Sequence, residues 1–389
     1  VKVLVVTDDR LGPAMAGSAL RAWEIARALA AGGLEVRIAA AAGSTVPAPG
    51  PPLDDRPRWA WADAVVAPPW SLPPRAFVGR HRLVVDGATP LPAELAALPD
   101  TPEVVRRRRT ATARLPLALA RCDALLVAGA AQRRWWSERL GAKRPELPIL
   151  DLPFGIPETP AGEEAQPIDG VPKHHAVVLW WGGVWPWLDL DTLLAARARL
   201  GAAPVSVVVP VAARPGGAAA TFGLDDLNAT AERHGLRSPR VVGLTEWVPY
   251  DRRDRVLRRA AVMAVLHHAG EETNLSFRTR AMDGVWAGVP LLLSEGGEVA
   301  DLARRHGWGA VAPLGDVRAV AAAMELLLAE REQTNCRRAL EASRESWTWR
   351  RLCRDLVELL PRLTTEGRGP LMPAALRSGL ALAGLRSAG

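Results

Sequence analysis

Cysteine is scarce: Cys122, Cys336 and Cys353 are the only three. Their number and wide spacing exclude a disulfide framework and the paired spacing of a zinc site, and fit a reducing, cytoplasmic setting. No uncharged apolar run reaches the roughly 18 residues of a membrane span. Val1 to Val6 reads as a buried strand, which leaves no room for a signal peptide. The formal charge of +7 comes without a basic stripe interleaved with aromatics, so nucleic acid is the weakest reading of it. Attraction to an anionic membrane surface, or an arginine-rich composition alone, accounts for the charge better. Tyrosine and phenylalanine are rare, at one and four, against fifteen tryptophans, a bias that composition does not explain.

A chain of 389 residues, 49% of them apolar, exceeds one core and suffices for two. Lys2 to Val6 reads as a strand, a small-residue loop follows from Gly12 to Ser18, and Leu20 to Leu29 has helical periodicity. Gly32 and Gly33 stop that helix before a second strand, Glu35 to Ala39, completing a β-α-β unit. Further strands are expected at Ala64 to Ala67, Leu83 to Asp86, Ala124 to Val127 and Pro148 to Leu152. Pro47 to Pro57 reads as a proline-rich loop, and Arg106 to Arg109 as a solvated helix face. After a linker at Pro153 to Pro172 the alternation restarts with a strand at His175 to Trp181. It runs on through a helix at Phe277 to Ala287 to long closing helices at Val317 to Glu330 and Asn335 to Leu360. The pattern predicts an α/β protein with two Rossmann-like domains, 1–155 and 156–345, a helix over 346–362 that crosses back, and a tail from 363. Ligands of such sheets bind outside the carboxyl ends of the strands, so the cleft between the halves is the expected site.

The loop Gly12 to Ser18 lacks the lysine of a nucleotide-triphosphate loop and the G-x-G-x-x-G pattern, leaving either a structural turn or a close backbone approach to substrate. Asp189-Leu190-Asp191 imitates a D-x-D metal motif, but it opens a helix, where capping is the better reading; no metal is expected. One of His267 and His268 faces the cleft or is a satisfied structural histidine. Asp8, Asp9 and Asp86 end predicted strands, as acceptor contacts and proton-transfer groups or as turn and cap residues. The segment His267 to Gly297 is the most informative: a polar loop leads into a helix carrying Arg278, Arg280 and Asp283. Free N–H groups at a helix start beside arginines suit a diphosphate.

Asp283 to Pro290, reading DGVWAGVP, resembles the end of the donor-binding motif of glycosyltransferase family 4, and Glu272 to Arg280 resembles the Ser-Phe-Arg-Thr-Arg loop of a bacterial subgroup. The resemblance implies the GT-B fold and metal-independent transfer of a sugar from a nucleotide-diphosphate donor, with retention and no other cofactor. It places Asp283 at the ribose and Glu272, with the backbone of Ser276, Phe277 and Thr279, at the transferred sugar. The family's usual acidic position, 275, is leucine here, and Glu272 lies earlier in the loop. Gly182 to Trp187 resembles the loop that usually supplies an Arg and a Lys to the diphosphate, with Gly183 beside it. Trp185 and Trp187 occupy that region here, so Arg278 and Arg280 are the candidates for the phosphate charge. Trp247 marks the nucleobase side, and Gly17, Arg21 and Asp86 the acceptor side of the first domain. A sugar-nucleotide epimerase and a non-catalytic partner subunit are the alternatives on the same fold. The acceptor is open (a glycan, a lipid-linked glycan or a small molecule), and the charge and amphipathic tail allow peripheral membrane association.

Overall fold

A computed structural model describes residues 1–363 except 16, 47–48, 78, 142–143 and 214–221. The tail from 364 lies outside the described residues. The chain divides into two compact units, 1–153 with the described residues from Trp349 onward, and Phe154–Thr348. No helix among the described residues is long and apolar enough to cross a membrane.

In the first unit, seven strands form one parallel sheet: β1 (Lys2–Val6), β2 (Glu35–Ala39), β3 (Leu53–Asp54), β4 (Ala64–Ala67), β5 (Arg82–Asp86), β6 (Ala124–Val127) and β7 (Ile149–Asp151). Their order is β3-β2-β1-β4-β5-β6-β7. Strands β4 and β6 are apolar throughout, and β1 is apolar after Lys2, as a sheet covered on both faces requires. Helix α1 (Gly17–Ala31) buries Ala19, Ala22, Trp23, Ala26 and Leu29 along one face. Helices α2 (Leu91–Ala96), α3 (Pro102–Arg121) and α4 (Ala130–Leu140) follow. The proline-rich loop holds the short edge strand β3, whose Asp54 is gripped by Arg37 of β2 at 2.5 to 3.0 Å.

The second unit repeats the plan with β8 (Ala176–Trp180), β9 (Val205–Pro210), β10 (Val241–Leu244), β11 (Val262–Val265), β12 (Leu291–Ser294) and β13 (Gly309–Ala312), in the order β10-β9-β8-β11-β12-β13. Every pairing is parallel. The helices are α5 (Leu190–Arg199), α6 (Leu224–Arg233), α7 (Arg253–Arg259), α8 (Glu271–Leu275), α9 (Thr279–Ala287), α10 (Glu298–His306), α11 (Val317–Leu328) and α12 (Glu330–Ser343). The core lies between β8, β9, β11 and the helices α5 and α11.

Two helix expectations are corrected. The helix expected from Phe277 starts at Thr279, because Phe277 packs its ring 6.2 Å from that of Trp347 on an extended link. The long helix expected over Asn335 to Leu360 is broken by a 3-10 turn at Arg344–Trp347, where Trp347 meets Trp308 edge-on at 5.5 Å. The chain then resumes as α13 (Trp349–Leu352) and α14 (Arg354–Arg362) against the first unit's α1. In each sheet the strand order reverses once, between β1 and β4 and between β8 and β11. Those reversals open crevices at the strand ends, where ligands of open α/β sheets bind.

Candidate functional site

At the second unit's reversal the loops after β8 and β11 are stitched together. Asp189 N–H donates to Leu266 O at 3.0 Å and His268 N–H to Trp187 O at 2.9 Å. Asp189 also accepts from Thr192 N–H at 2.9 Å, so it is the N-cap of α5, as the helix-start position predicts. Beside this stitch, β11 leads through His267 and His268 into the short helix α8, then through Ser276 to Arg278 into α9. Ala281, Met282, Val285 and Trp286 bury the inner face of α9. A Cβ on Gly284 would come within 2.6 Å of Leu291, so the missing side chain lets α9 lie close on the sheet. Gly288, with φ of 67°, ends it.

No side chain caps the start of α9. Its free N–H groups and the helix dipole make that end electropositive. Arg280, in the first turn, donates to Gly183 O at 3.1 Å and lies over the Trp180 ring at 5.9 Å. The helix start, Arg280 and the exposed Gly183 are therefore brought together. Burial lowers the Arg280 and Arg278 guanidinium pKa values to about 10, which leaves both cationic at neutral pH.

Arg278 departs from the expectation. It is buried and turns into the loop after β12, donating to the carbonyls of Ser294, Glu295 (2.9 Å) and Gly296 (2.6 Å). With Nη1 and Nη2 engaged there and Nε buried without a partner, it holds that loop instead of facing an anion. Phe277 is likewise a core side chain, 4% exposed. Ser276 closes α8 by donating its N–H to Glu272 O at 2.7 Å, and its hydroxyl also bonds the Glu272 carboxylate. Thr279 opens α9.

Glu272 is buried beside His267, with Oε2 3.8 Å from Nε2. Neither Glu272 Oε2 nor His267 Nδ1 has a hydrogen-bond partner. Burial pushes the Glu272 carboxyl up to about 7, against the pull of Ser276 and of Arg278 and Arg280. Burial, then the charges of Arg278, Arg280 and His268, push the His267 imidazole well below its usual value.

Asp283 accepts two hydrogen bonds, from Trp181 Nε1 at 2.9 Å on Oδ2 and from Arg253 Nε at 3.1 Å on Oδ1. The Arg253 guanidinium is clamped between two rings, 3.8 Å from the centre of Tyr250 and 4.1 Å from that of Trp286. Arg253 and Trp181 were not among the expected site residues. A tryptophan just past a strand end and an arginine opening a basic helix give no sign of a shared partner decades of residues away. Trp247, also expected, is half-buried after β10 with Nε1 buried and without an acceptor. Trp185 and Trp187 stack in parallel at 5.5 Å, the outer ring 42% exposed.

In the first unit Arg21 and Asp86 meet, but each other and not solvent. Arg21 Nε and Nη2 donate to the two carboxylate oxygens at 2.7 and 2.9 Å, and its remaining donors reach Leu152 O and Pro153 O. Both side chains are over nine-tenths buried. The proton-transfer role expected of Asp86 is thereby corrected to that of a buried ion pair tying α1 to β5. Gly17 is the exposed first residue of α1. Asp9 accepts from Ser18 and Asp8 from Ser71, which binds the loops at this unit's own strand reversal.

No family model matches the chain, and no curated protein sequence matches it. Solved structures do. Sucrose-phosphate synthase from Thermosynechococcus elongatus is 14% identical over 93% of this chain and 98% of its own, with a TM-score of 0.64. Anabaena HepE, solved in complex with UDP and glucose, is 14% identical over 93% and 99%, with a TM-score of 0.65. WaaG, a glycosyltransferase involved in lipopolysaccharide biosynthesis, is 15% identical over 92% and 99%, with a TM-score of 0.63. What they share with this chain is the fold. The chain has the two-domain, Rossmann-like α/β architecture of these enzymes over nearly its whole length.

Proposed function

We propose that the chain is a glycosyltransferase that takes a sugar from a nucleotide-diphosphate donor bound at the second unit. The observation that carries this is the combination on one helix, α9, of an uncapped electropositive start, Arg280 beside Gly183, and Asp283 one turn further on. Diphosphate and ribose need those two chemistries at about that separation. The likeness to a fold solved with UDP and glucose agrees with it.

On this reading the α9 N–H groups and Arg280 take the charge of the leaving diphosphate, Asp283 accepts from the ribose, and Trp247 lies on the nucleobase side. Glu272 meets a hydroxyl of the transferred sugar together with the backbone of Ser276 and Thr279, while Arg278 fixes the loop beside them. The bond from the anomeric carbon to the phosphate oxygen breaks and one to the acceptor hydroxyl forms. The acceptor proton leaves to the departing phosphate, with configuration retained and no metal taking part. Stabilising that separated charge by fixed donors is where such a site gains its rate. The family 4 assignment, a glycan, lipid-linked or small-molecule acceptor, and a cytoplasmic location at an anionic membrane surface belong to the same proposal.

A thermal-shift screen with UDP-, GDP- and TDP-sugars tests it, because a bound donor stabilises the native state. Stabilisation by one base series, with sugar release or transfer, supports the reading. A chain indifferent to all three is not a transferase of this kind. One observation favours a non-catalytic relative instead, the stacked Trp185 and Trp187 where a cationic pair is usual; donor binding without turnover would select it.

A further inference from the structure

A carboxylate offers about four lone-pair positions. In Asp283 two of them are filled by the Trp181 indole and the Arg253 guanidinium, one on each oxygen. Both donors come from rigid surroundings. Trp181 directly follows β8, and Arg253 is 7% exposed, held flat between Tyr250 and Trp286 and donating to Tyr250 O at 2.8 Å. Asp283 itself sits on the sheet-packed helix α9 yet keeps 19% of its side chain accessible. The carboxylate therefore has a fixed orientation, with two acceptor positions left over. Two is the number of hydroxyls on an unmodified ribose.

We propose that Arg253 and Trp181 are positioning residues that make Asp283 a reader of the ribose diol, so that the site selects ribonucleotides over deoxyribonucleotides. This rests on the reading of α9 as a nucleotide site and deepens it. Arg253 keeps the Asp283 carboxylate untilted. Trp181 stops it rotating about χ2, so that both hydroxyls are met at once. A diol lacking its 2′-hydroxyl would leave one acceptor position unpaired inside a partly closed site, a loss that fixed geometry makes larger.

The test is calorimetric titration of the whole chain with UDP, GDP and ADP, each beside its 2′-deoxy counterpart. The wild type should prefer the ribo form of at least one base by roughly tenfold or more. Asp283→Asn should abolish the preference. Arg253→Lys should cut it to about twofold or less, and Trp181→Phe, which keeps the ring and deletes the donor, should do the same even if the arginine variant folds poorly. A merely structural role for these two residues would weaken both nucleotide forms equally and leave the ratio intact; that outcome overturns the proposal. If wild type binds but shows no ribo preference, or Asp283→Asn keeps it, the ribose reading of Asp283 fails and the proposal with it. If no nucleotide binds at all, the nucleotide site itself is refuted.

Discussion

Arg21 and Asp86, 65 residues apart, meet as a two-pronged ion pair at 2.7 and 2.9 Å beneath the surface of the first unit. Removing one partner strands a buried charge, which costs about 3–5 kcal/mol, whereas removing both leaves none. Asp86→Leu and Arg21→Met should each lower unfolding stability by that order in urea titrations. The double variant should be far more stable than the sum of the two predicts. Additive losses, or single losses within about 0.5 kcal/mol of wild type, would show that the pair carries no such weight.

His267 and Glu272 give a pH prediction. Glu272 has its carboxyl raised to about 7, so its contribution is full below the usual carboxyl pKa and fades as pH rises towards 7. His267 is lowered, so its contribution is present above the usual imidazole value and fades as pH falls. Between about pH 5 and 6.5 the native pair keeps one proton on the carboxyl, while the unfolded pair keeps one on the imidazole. The two slopes oppose each other. Glu272→Gln should uncover the histidine slope, with stability rising across that window by up to about 1.4 kcal/mol per pH unit relative to wild type. His267→Phe should uncover the opposite slope. Parallel pH–stability curves for wild type and both variants would contradict the assignment.

Gly297 has φ of 73°, and a Cβ there would lie 2.7 Å from Thr273 O. Gly297→Ala combines left-handed strain with a backbone clash, and a destabilisation of about 1–3 kcal/mol is expected. Because the clash pushes on α8, donor affinity should fall along with the unfolding midpoint. Unchanged affinity in the folded variant would mean that α8 does not bear on the ligand.

Arg280→Ala should weaken a nucleoside diphosphate by roughly tenfold or more, through loss of a charge-assisted contact, and leave the parent nucleoside unaffected. Equal weakening of both, read by titration, would move Arg280 away from the phosphates.

The alternation of strands and helices was legible because buried parallel strands are nearly unbroken apolar runs, as in Val262 to Val265 and Leu291 to Ser294. Strand β3 escaped notice because it is an edge of two residues among prolines. The grouping of Arg280 and Asp283 at the start of α9 was also legible, because they lie within a few positions of each other and helical spacing places them. Arg278 shows where such reasoning stops. Its charge and its place in the motif are those of a ligand-facing residue, yet nothing local reveals that three carbonyls of the next strand's loop will claim it. Asp86 and Asp283 teach the same lesson. Their partners, Arg21 and Arg253, are fixed by sheet order and helix packing, which bring together positions tens of residues apart.

Helices α13 and α14 complete the first unit with residues that come after the whole of the second, Val357 lying against Gly32 and Leu356 and Leu360 wholly buried. A ribosome emits the sheet of that unit first and its last two helices only after roughly two hundred further residues. Until then the nascent α1 carries an uncovered apolar flank, and the unit can reach its native state only after synthesis has passed residue 360. A chain terminated near residue 348 should release a folded second unit joined to a first one that is open to proteolysis.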